Sequence, residues 1–257
     1  MRVATFNILH GRSLTDGRVS VESLARAVRD LDADVLALQE VDRNQPRSHA
    51  ADLTAVAAKA MGAVDHRFVA ALSGRAGSGW VAATGAEQPD SPAYGIALLS
   101  RHPVTAWQVV RLPALPAPVP LRHPGSRLPT VVRDEARVAV TADVETPEGP
   151  VTVANTHLSF IHWSNRRQLR HLVRSIAPAR RPLLLMGDLN MGPERAASIT
   201  GMRALALRPT FPADEPREQL DHVLADGAVR AQGFEVRRMP LSDHRALVVD
   251  LALGAAG

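Results

Sequence analysis

Eight polar residues sit where apolar runs of this 257-residue chain end: Asn7 in ATFNIL, Glu40 in LALQEVD, His157 in VANTHLS, Asp188 and Asn190 in MGDLN, Asp221 in QLDHVL, and Asp243 with His244 in LSDHRAL. Taken one at a time, each has an ordinary structural reading: Asn7 as a turn residue, Glu40 as a surface carboxylate, His157 as a hydrogen-bonded core imidazole, Asp243 as a cap. As a set they form a chemical inventory. An amide and several carboxylates are hard oxygen ligands suited to Mg2+ or Mn2+, which bind few protein groups and keep positions for water and a substrate phosphate. A metal, two imidazoles and an acid are the parts needed to hydrolyse a phosphate ester by direct attack of water.

Other chemistries lack their residues. There is no HExxH, no Cys, and no close pair of His at ligand spacing, since His157 and His162 are five apart; zinc is the less apt metal. Neither GxxxxGK(S/T) nor GxGxxG occurs, and GRAGSG at 74–79 only imitates them, while a serine nucleophile has no GxSxG elbow to stand in.

Elements must deliver these residues to one place. In RPLLLMGDLNMGP, the apolar run 183–186 between Pro182 and Gly187 predicts a strand buried on both faces. Alternation of side-chain direction then places Asp188 and Asn190 on the same face at its end. Similar patterns predict a β-α-β opening (strand 3–9, helix 21–31, strand 34–41), a helix over 53–61, and strands near 67–72, 94–100 and 106–112. Long alternating runs at 130–145 and 150–158 flank a Pro-Glu-Gly-Pro turn and read as a hairpin. A helix over 164–176, a short helix after Pro193, and strands near 222, 233–237 and 246–251 complete the order. Mixed strands with hairpins and a few helices suit two packed sheets covered by helices. Two segments, 73–93 and the proline-rich 112–129, read as long surface loops, with Trp80, Arg122, His123 and Arg127 as their candidates for substrate contact.

Composition bounds the rest. With 46% hydrophobic but only 4% aromatic residues, aliphatic side chains must fill most of the core. No linker divides the chain, so a single domain over 1–254 is expected, and a monomer. Lys59 is the only lysine among 30 basic residues, and the formal net charge of +4 permits an anionic substrate without giving a nucleic-acid footprint. The stretch 103–121 is broken by Arg111 and several prolines, so it predicts no membrane span, and MRVATFNIL lacks the apolar core of a signal peptide. The simplest location is the cytoplasm. In NRRQLRHLVRSIAPARR, Arg166, Arg170 and Arg174 repeat every four residues opposite Leu169, Leu172, Val173 and Ile176. That basic face reads first as a solvated one, although its start after THLSFIHW brings Arg166 and Arg167 within reach of a substrate. The aromatic interleaving of a single-strand binder is not found.

The ordered series FNI, QE, YGIALLSR, NTHL, GDLN, LDHV and SDH, spanning Thr5 to His244, resembles the endonuclease/exonuclease/phosphatase superfamily. The resemblance implies a deoxyribonuclease-I-like, four-layer α/β sandwich, with two mixed β-sheets packed face to face, helices outside, and a metal-dependent site at one edge. It further implies Glu40 as the main metal carboxylate, with Asn7 beside it and Asp243 near the metal or its water. Asp188 is then expected to activate or orient the attacking water, and Asn190 to hold a phosphate oxygen. His157 and His244 stabilise charge on the phosphorane, Asp221 orients His244, and Tyr94 is a phenol on the phosphate side. One position departs from the nuclease branch, where an acidic residue supports the first histidine: Ile96 stands there, leaving Glu135 as a candidate partner for His157. The expected activity is a phosphodiesterase on nucleic acid or a lipid or small-molecule diester; a phosphomonoesterase of the inositol-phosphate type and a non-catalytic binding module are the alternatives.

Overall fold

The computed structural model describes residues 1–77, 79–121 and 129–254. Caps and apolar spacing set the helices. Ser20 accepts a hydrogen bond from the Ser23 amide and opens α1 (Val21–Leu31), whose Leu24, Ala27, Val28 and Leu31 are buried. Asp52 caps α2 (Leu53–Met61), which ends on Gly62 in the left-handed region. Two further helices are α3 (His162–Ile176) and α4 (Pro193–Thr200).

The strands, in chain order, are β1 (Arg2–Asn7), β2 (Val35–Arg43), β3 (Asp65–Ser73), β4 (Val81–Ala82), β5 (Ala93–Ser100), β6 (Val104–Leu112), β7 (Val119–Leu121), β8 (Thr130–Val132), β9 (Arg137–Thr146), β10 (Gly149–His157), β11 (Leu183–Asp188), β12 (Arg203–Ala204), β13 (Asp221–Asp226), β14 (Val229–Arg237) and β15 (Ala246–Leu253). They form a seven-stranded sheet in the order β14-β15-β1-β2-β5-β3-β4, a six-stranded sheet in the order β12-β13-β11-β10-β9-β6, and a small β7-β8 ribbon. Each large sheet has one parallel pair: β1 with β2, joined through α1, and β10 with β11, joined through α3. The carboxyl ends of these four strands carry Asn7, Glu40, His157 and Asp188, which is where open α/β sheets place ligands.

Three apolar clusters define four layers. One lies between the sheets and joins Val3, Ile96, Val140, Val153, Met186 and Val249. A second packs Leu24, Leu31 and Ala57 against Phe6, Leu38 and Leu99; a third packs Leu169, Leu172 and Ile176 against Ala154, Leu185 and Leu224. Each fully buried Leu, Ile or Phe contributes roughly 1.5–3 kcal/mol relative to exposure. Close approach fixes two glycines. A Cβ on Gly187 would lie 1.9 Å from the Thr156 carbonyl oxygen, and one on Gly95 would lie 2.0 Å from that of Val69.

The expected long run 130–145 is two strands. Asp134 leaves the sheet because its buried carboxylate accepts from the Leu115 and Glu135 amides and from the hydroxyls of Ser159 and Ser164. The predicted loops hold short strands at β4 and β7, and Arg122, His123 and Arg127 lie outside the described residues. No helix among the described residues is long and apolar enough to cross a membrane.

Candidate active site

A bulge and an amide network bring the two sheets' polar ends together. Register between β2 and β5 shifts between Leu38 and Val41, and Glu40 has φ +56°, so the irregularity turns its carboxylate toward Asn7. Beneath it, Asn155 of β10 crosses to the other sheet. Its Nδ2 donates to the carbonyls of Leu38 (3.0 Å) and Ala97 (2.8 Å), and its Oδ1 accepts from Gln39 Nε2 (2.8 Å), which also donates to Thr5 (3.0 Å). All of these side chains are buried, so the polar bridge sets the spacing of the sheets at the site.

Asn7 links the next two carboxylates. Its Oδ1 accepts from the Leu9 amide at 3.1 Å, which fixes the orientation of the amide, and its Nδ2 donates to Glu40 Oε1 and Asp188 Oδ2, each at 3.1 Å. Asp188 Oδ2 also lies 3.6 Å from His157 Nε2 and 3.7 Å from His244 Nε2, while Oδ1 accepts from the Asn190 amide at 2.9 Å. Three strand ends and a C-terminal loop therefore meet at one carboxylate, and Glu40 of β2 joins them through Asn7.

The SDH segment is placed by its serine. Ser242 donates to the Asn7 carbonyl at 2.6 Å and accepts from the His244 amide at 3.1 Å, holding Asp243 and His244 against the end of β1. His244 Nδ1 donates to Asp221 Oδ2 at 2.9 Å, and Thr210 donates to the same oxygen at 2.6 Å. Burial opposes charge on His244, but Asp221 and Asp188 outweigh it and raise its pKa to about 10. Burial raises Asp188, with Asp221 adding to it and His244 and Asn7 opposing. Burial likewise raises Glu40, against the Asn7 hydrogen bond and Arg137, and with Asp243 adding. Burial and then the Glu40 charge push Tyr94 well above the ordinary phenol range.

His157 finds an arginine. Arg137 Nη1 lies 3.1 Å from its Nδ1, and because a guanidinium only donates, Nδ1 is the acceptor and the ring proton sits on Nε2, facing Asp188. Burial, Arg137 and His244 hold the His157 pKa well below its ordinary value. The expected candidate Glu135 does not touch the ring: it pairs with Arg137 Nη2 at 3.3 Å. Ile96 is packed in the core between the sheets.

Asn190 departs from the expected geometry. The strand ends at Asp188, and Asn190 has φ +50°, so the two side chains do not alternate onto one face. The Asn190 Nδ2 donates to the Leu158 carbonyl at 3.0 Å, and the residue lines a cleft of about 280 Å³ with Phe160, His162, Arg166 and Arg195. The Asp243 charge helps raise the Glu40 carboxyl, and the Glu40 charge helps raise the Tyr94 phenol, so both residues stand near Glu40 without a hydrogen bond to it. Trp80 stacks on Tyr94 with ring centroids 4.8 Å apart, and Arg47, clamped by two hydrogen bonds to the buried Asp42, lies over both rings.

The donor set fits a hard divalent cation. Carboxylate oxygens that suit such an ion stand at two places: Glu40, which shares Asn7 with Asp188, and the group of Asp188, Asp221 and His244, whose ligand atoms lie within 4.8 Å of one another.

A family model described as the endonuclease/exonuclease/phosphatase family matches residues 4–244. The chain belongs to that family. Its members hydrolyse phosphoester bonds and typically use a divalent metal. Among solved structures, an endonuclease/exonuclease/phosphatase from Beutenbergia cavernae DSM 12333 is 26% identical with TM-score 0.72, covering 100% of this chain and 72% of that one. The mannosyl-6-phosphatase of Bacteroides thetaiotaomicron VPI-5482 is 16% identical with TM-score 0.64, over 98% of this chain and 100% of that one. The human Nocturnin catalytic domain with bound sulfate is 20% identical with TM-score 0.64, over 99% and 94%. No curated protein matches the sequence. The two sheets packed face to face, with helices outside, are the family's deoxyribonuclease-I-like fold.

Proposed function

We propose that the chain is a phosphodiesterase dependent on Mg2+ or Mn2+, acting by direct attack of water on phosphorus. The observation that carries this reading is Asp188 Oδ2, an oxygen ringed by Asn7 Nδ2 at 3.1 Å, His157 Nε2 at 3.6 Å and His244 Nε2 at 3.7 Å. A buried carboxylate with a raised pKa is suited to take a proton from water, and it is held by the Asn190 amide and Asn7. His244, kept cationic by Asp221, faces the charge that develops on phosphorus, and His157 offers its Nε2 proton. Such pre-set donors lower the barrier by about 3–4 kcal/mol each. Asn190 Nδ2 keeps a second hydrogen for a phosphate oxygen, and Tyr94 stands on the Glu40 side of the site, packed with Trp80 and Arg47.

Glu40 and Asp243 are the residues to hold the ion, with Asn7, whose Nδ2 donates to Glu40, positioning that carboxylate. The tighter group of Asp188, Asp221 and His244 is less suited, because a cationic His244 repels a metal. When bound, the ion polarises a phosphoryl oxygen and neutralises charge.

A phosphomonoesterase is the second reading, favoured by Ile96, which removes the acidic support that the nuclease branch gives its histidine. Hydrolysis of bis(4-nitrophenyl) phosphate and of 4-nitrophenyl phosphate separates the two. With Mg2+ or Mn2+ the diester is expected to turn over at least about tenfold faster, and EDTA, Asp188→Ala or Glu40→Gln to remove the activity. Faster monoester turnover selects the second reading, and no turnover of either ester with any metal rejects both.

A further inference from the structure

A cleft of about 540 Å³ opens on the flank of the sandwich, between β3 of one sheet and β6 of the other. Both strands are open there: β6 is the last of its sheet, and β4 pairs with β3 only at Leu72 and Ser73, beyond the 67–70 stretch that lines the cleft. One further strand in each sheet, β5 or β9, separates this flank from the strands that carry Glu40 and His157. Gly85, Glu87 and Pro89 complete the wall, and none of the residues assigned to the catalytic centre lines it.

Three arginines converge on the cleft from three strands: Arg43 from β2, Arg67 from β3 and Arg111 from β6. Each is held by a contact that leaves guanidinium hydrogens free. Arg43 lies over the Phe68 ring at 4.7 Å from its centroid, Arg67 lies over Trp107 at 6.0 Å, and Arg111 Nη1 donates to the Ala83 carbonyl at 2.6 Å. Arg43 Nε is buried without a hydrogen-bond partner, an unfavourable state that an acceptor in the cleft would relieve. Among the described residues, none of the three forms an ion pair with a carboxylate. Glu87 is the one carboxylate in the wall, and it is engaged by its own turn: it accepts from the Thr84 hydroxyl and the Gly85 amide, each at 2.9 Å, and from the Thr84 amide. Charges that guard an open sheet edge stand on the edge strand itself. Arg43 comes from an interior strand and is half-buried, so edge protection does not account for it.

We propose that this flank cleft is a binding site for a small organic phosphate monoester, separate from the catalytic centre, with the phosphate on the three arginines and the organic body against Val69, Val109 and Pro89. Three guanidinium charges against the single Glu87 carboxylate leave a balance of two positive charges in the wall. That balance matches the roughly −1.5 to −2 of a terminal phosphate near neutral pH, whereas a carboxylate or a diester matches about half of it. Guanidinium groups also present the paired donors that fit phosphate oxygens. The volume lies in the ~300–1,000 Å³ range of small-molecule sites, and the apolar side chains beside the arginines give a body attached to the phosphate a surface to cover. The charge is gathered in one cleft rather than drawn out in a line, which suits a compact headgroup over a polyanionic chain. The inference does not depend on which ester the catalytic centre hydrolyses.

Isothermal titration calorimetry of the whole protein in EDTA, with phenyl phosphate, inorganic phosphate and phenol as probes, tests the site. Phenyl phosphate is expected to bind at least about fivefold tighter than inorganic phosphate, and phenol to give no binding up to about 10 mM. Arg67→Gln and Arg111→Gln change exposed side chains and should each weaken phenyl phosphate about tenfold or more. Val109→Ala should narrow the preference for phenyl phosphate over inorganic phosphate about threefold while leaving the affinity for inorganic phosphate in place. His244→Gln alters the catalytic centre and should leave the affinity of the flank site within about twofold of wild type. Hydrolysis of bis(4-nitrophenyl) phosphate with Mn2+ should likewise stay within about twofold in Arg67→Gln, so loss of flank binding and loss of catalysis are read separately. Binding lost in His244→Gln but retained in both arginine variants, equal affinity for the two anions, or no heat from either up to about 10 mM would each overturn the proposal.

Discussion

Replacing Asp221 with Asn keeps the shape of the His244 support and removes its charge. His244 Nδ1 lies 2.9 Å from Asp221 Oδ2, which also accepts from Thr210 at 2.6 Å, so an amide oxygen in that position preserves both hydrogen bonds. Burial opposes the imidazolium, yet the site raises its pKa from 6.5 to about 10, with Asp221 the leading cause among the carboxylates. That rise is worth roughly 5 kcal/mol. With Asp221 in direct contact at 2.9 Å and Asp188 at 3.7 Å, Asp221 is the larger contributor. If the charge on His244 acts in the transition state, Asp221→Asn lowers kcat for the diester on the order of 100-fold at about pH 7.5. The basic limb of the kcat profile should move down by about two pH units. Stopped-assay kinetics at saturating metal from about pH 6 to 10 measure both. A variant with kcat within about threefold of wild type and an unmoved basic limb would refute the role given to the pair.

Three further outcomes follow from the geometry. Asn155→Leu removes the donor to the Leu38 and Ala97 carbonyls and the acceptor for Gln39, and should destabilise the protein by about 3 kcal/mol in urea unfolding; a loss under about 1 kcal/mol contradicts the inter-sheet bridge. Arg137→Met frees His157 Nδ1, and kcat/KM should fall about 10- to 100-fold, whereas Glu135→Gln, which touches only the arginine, should cost about threefold or less; equal losses contradict the direct contact. In EDTA, stability depends on pH through His244. Its folded pKa of about 10 exceeds its unfolded value of 6.5, so its stabilisation is full below 6.5 and is lost as pH rises through about 10. The Tm should fall between about pH 7.5 and 10 and flatten in His244→Gln; a Tm that rises over that window has the wrong sign.

What could be read from the sequence follows from how local each signal is. The helices at 21–31 and 53–61 match because Ser20, Asp52 and Gly62 mark their ends and apolar residues repeat at helical spacing. The site residues were legible as strand ends, since Asn7, Glu40, His157 and Asp188 each follow an apolar run. Register does not supply the rest. Counting outward from the hairpin turn pairs Thr156 with Ala139 and so sets Val138 opposite His157, with Arg137 on the other face; the contact with Arg137 forms where the pairing has ended and had no signal in the alternation. Gln39 and Asn155 lay inside recognised motifs, but their bridge spans two sheets and has no local pattern. Asp134 was hidden within an alternating run, and Asn190 defeated the alternation argument because a left-handed turn, closed on Asp188, replaces the strand.

The central claim is that strand ends from both sheets form one centre for a divalent cation and a phosphate. Anomalous diffraction from crystals grown with Mn2+ tests it most directly. The account predicts a peak about 2.0–2.3 Å from a Glu40 carboxylate oxygen, on the side of Asn7 and Asp243. A peak only at surface carboxylates remote from Glu40, or none at saturating Mn2+, contradicts it.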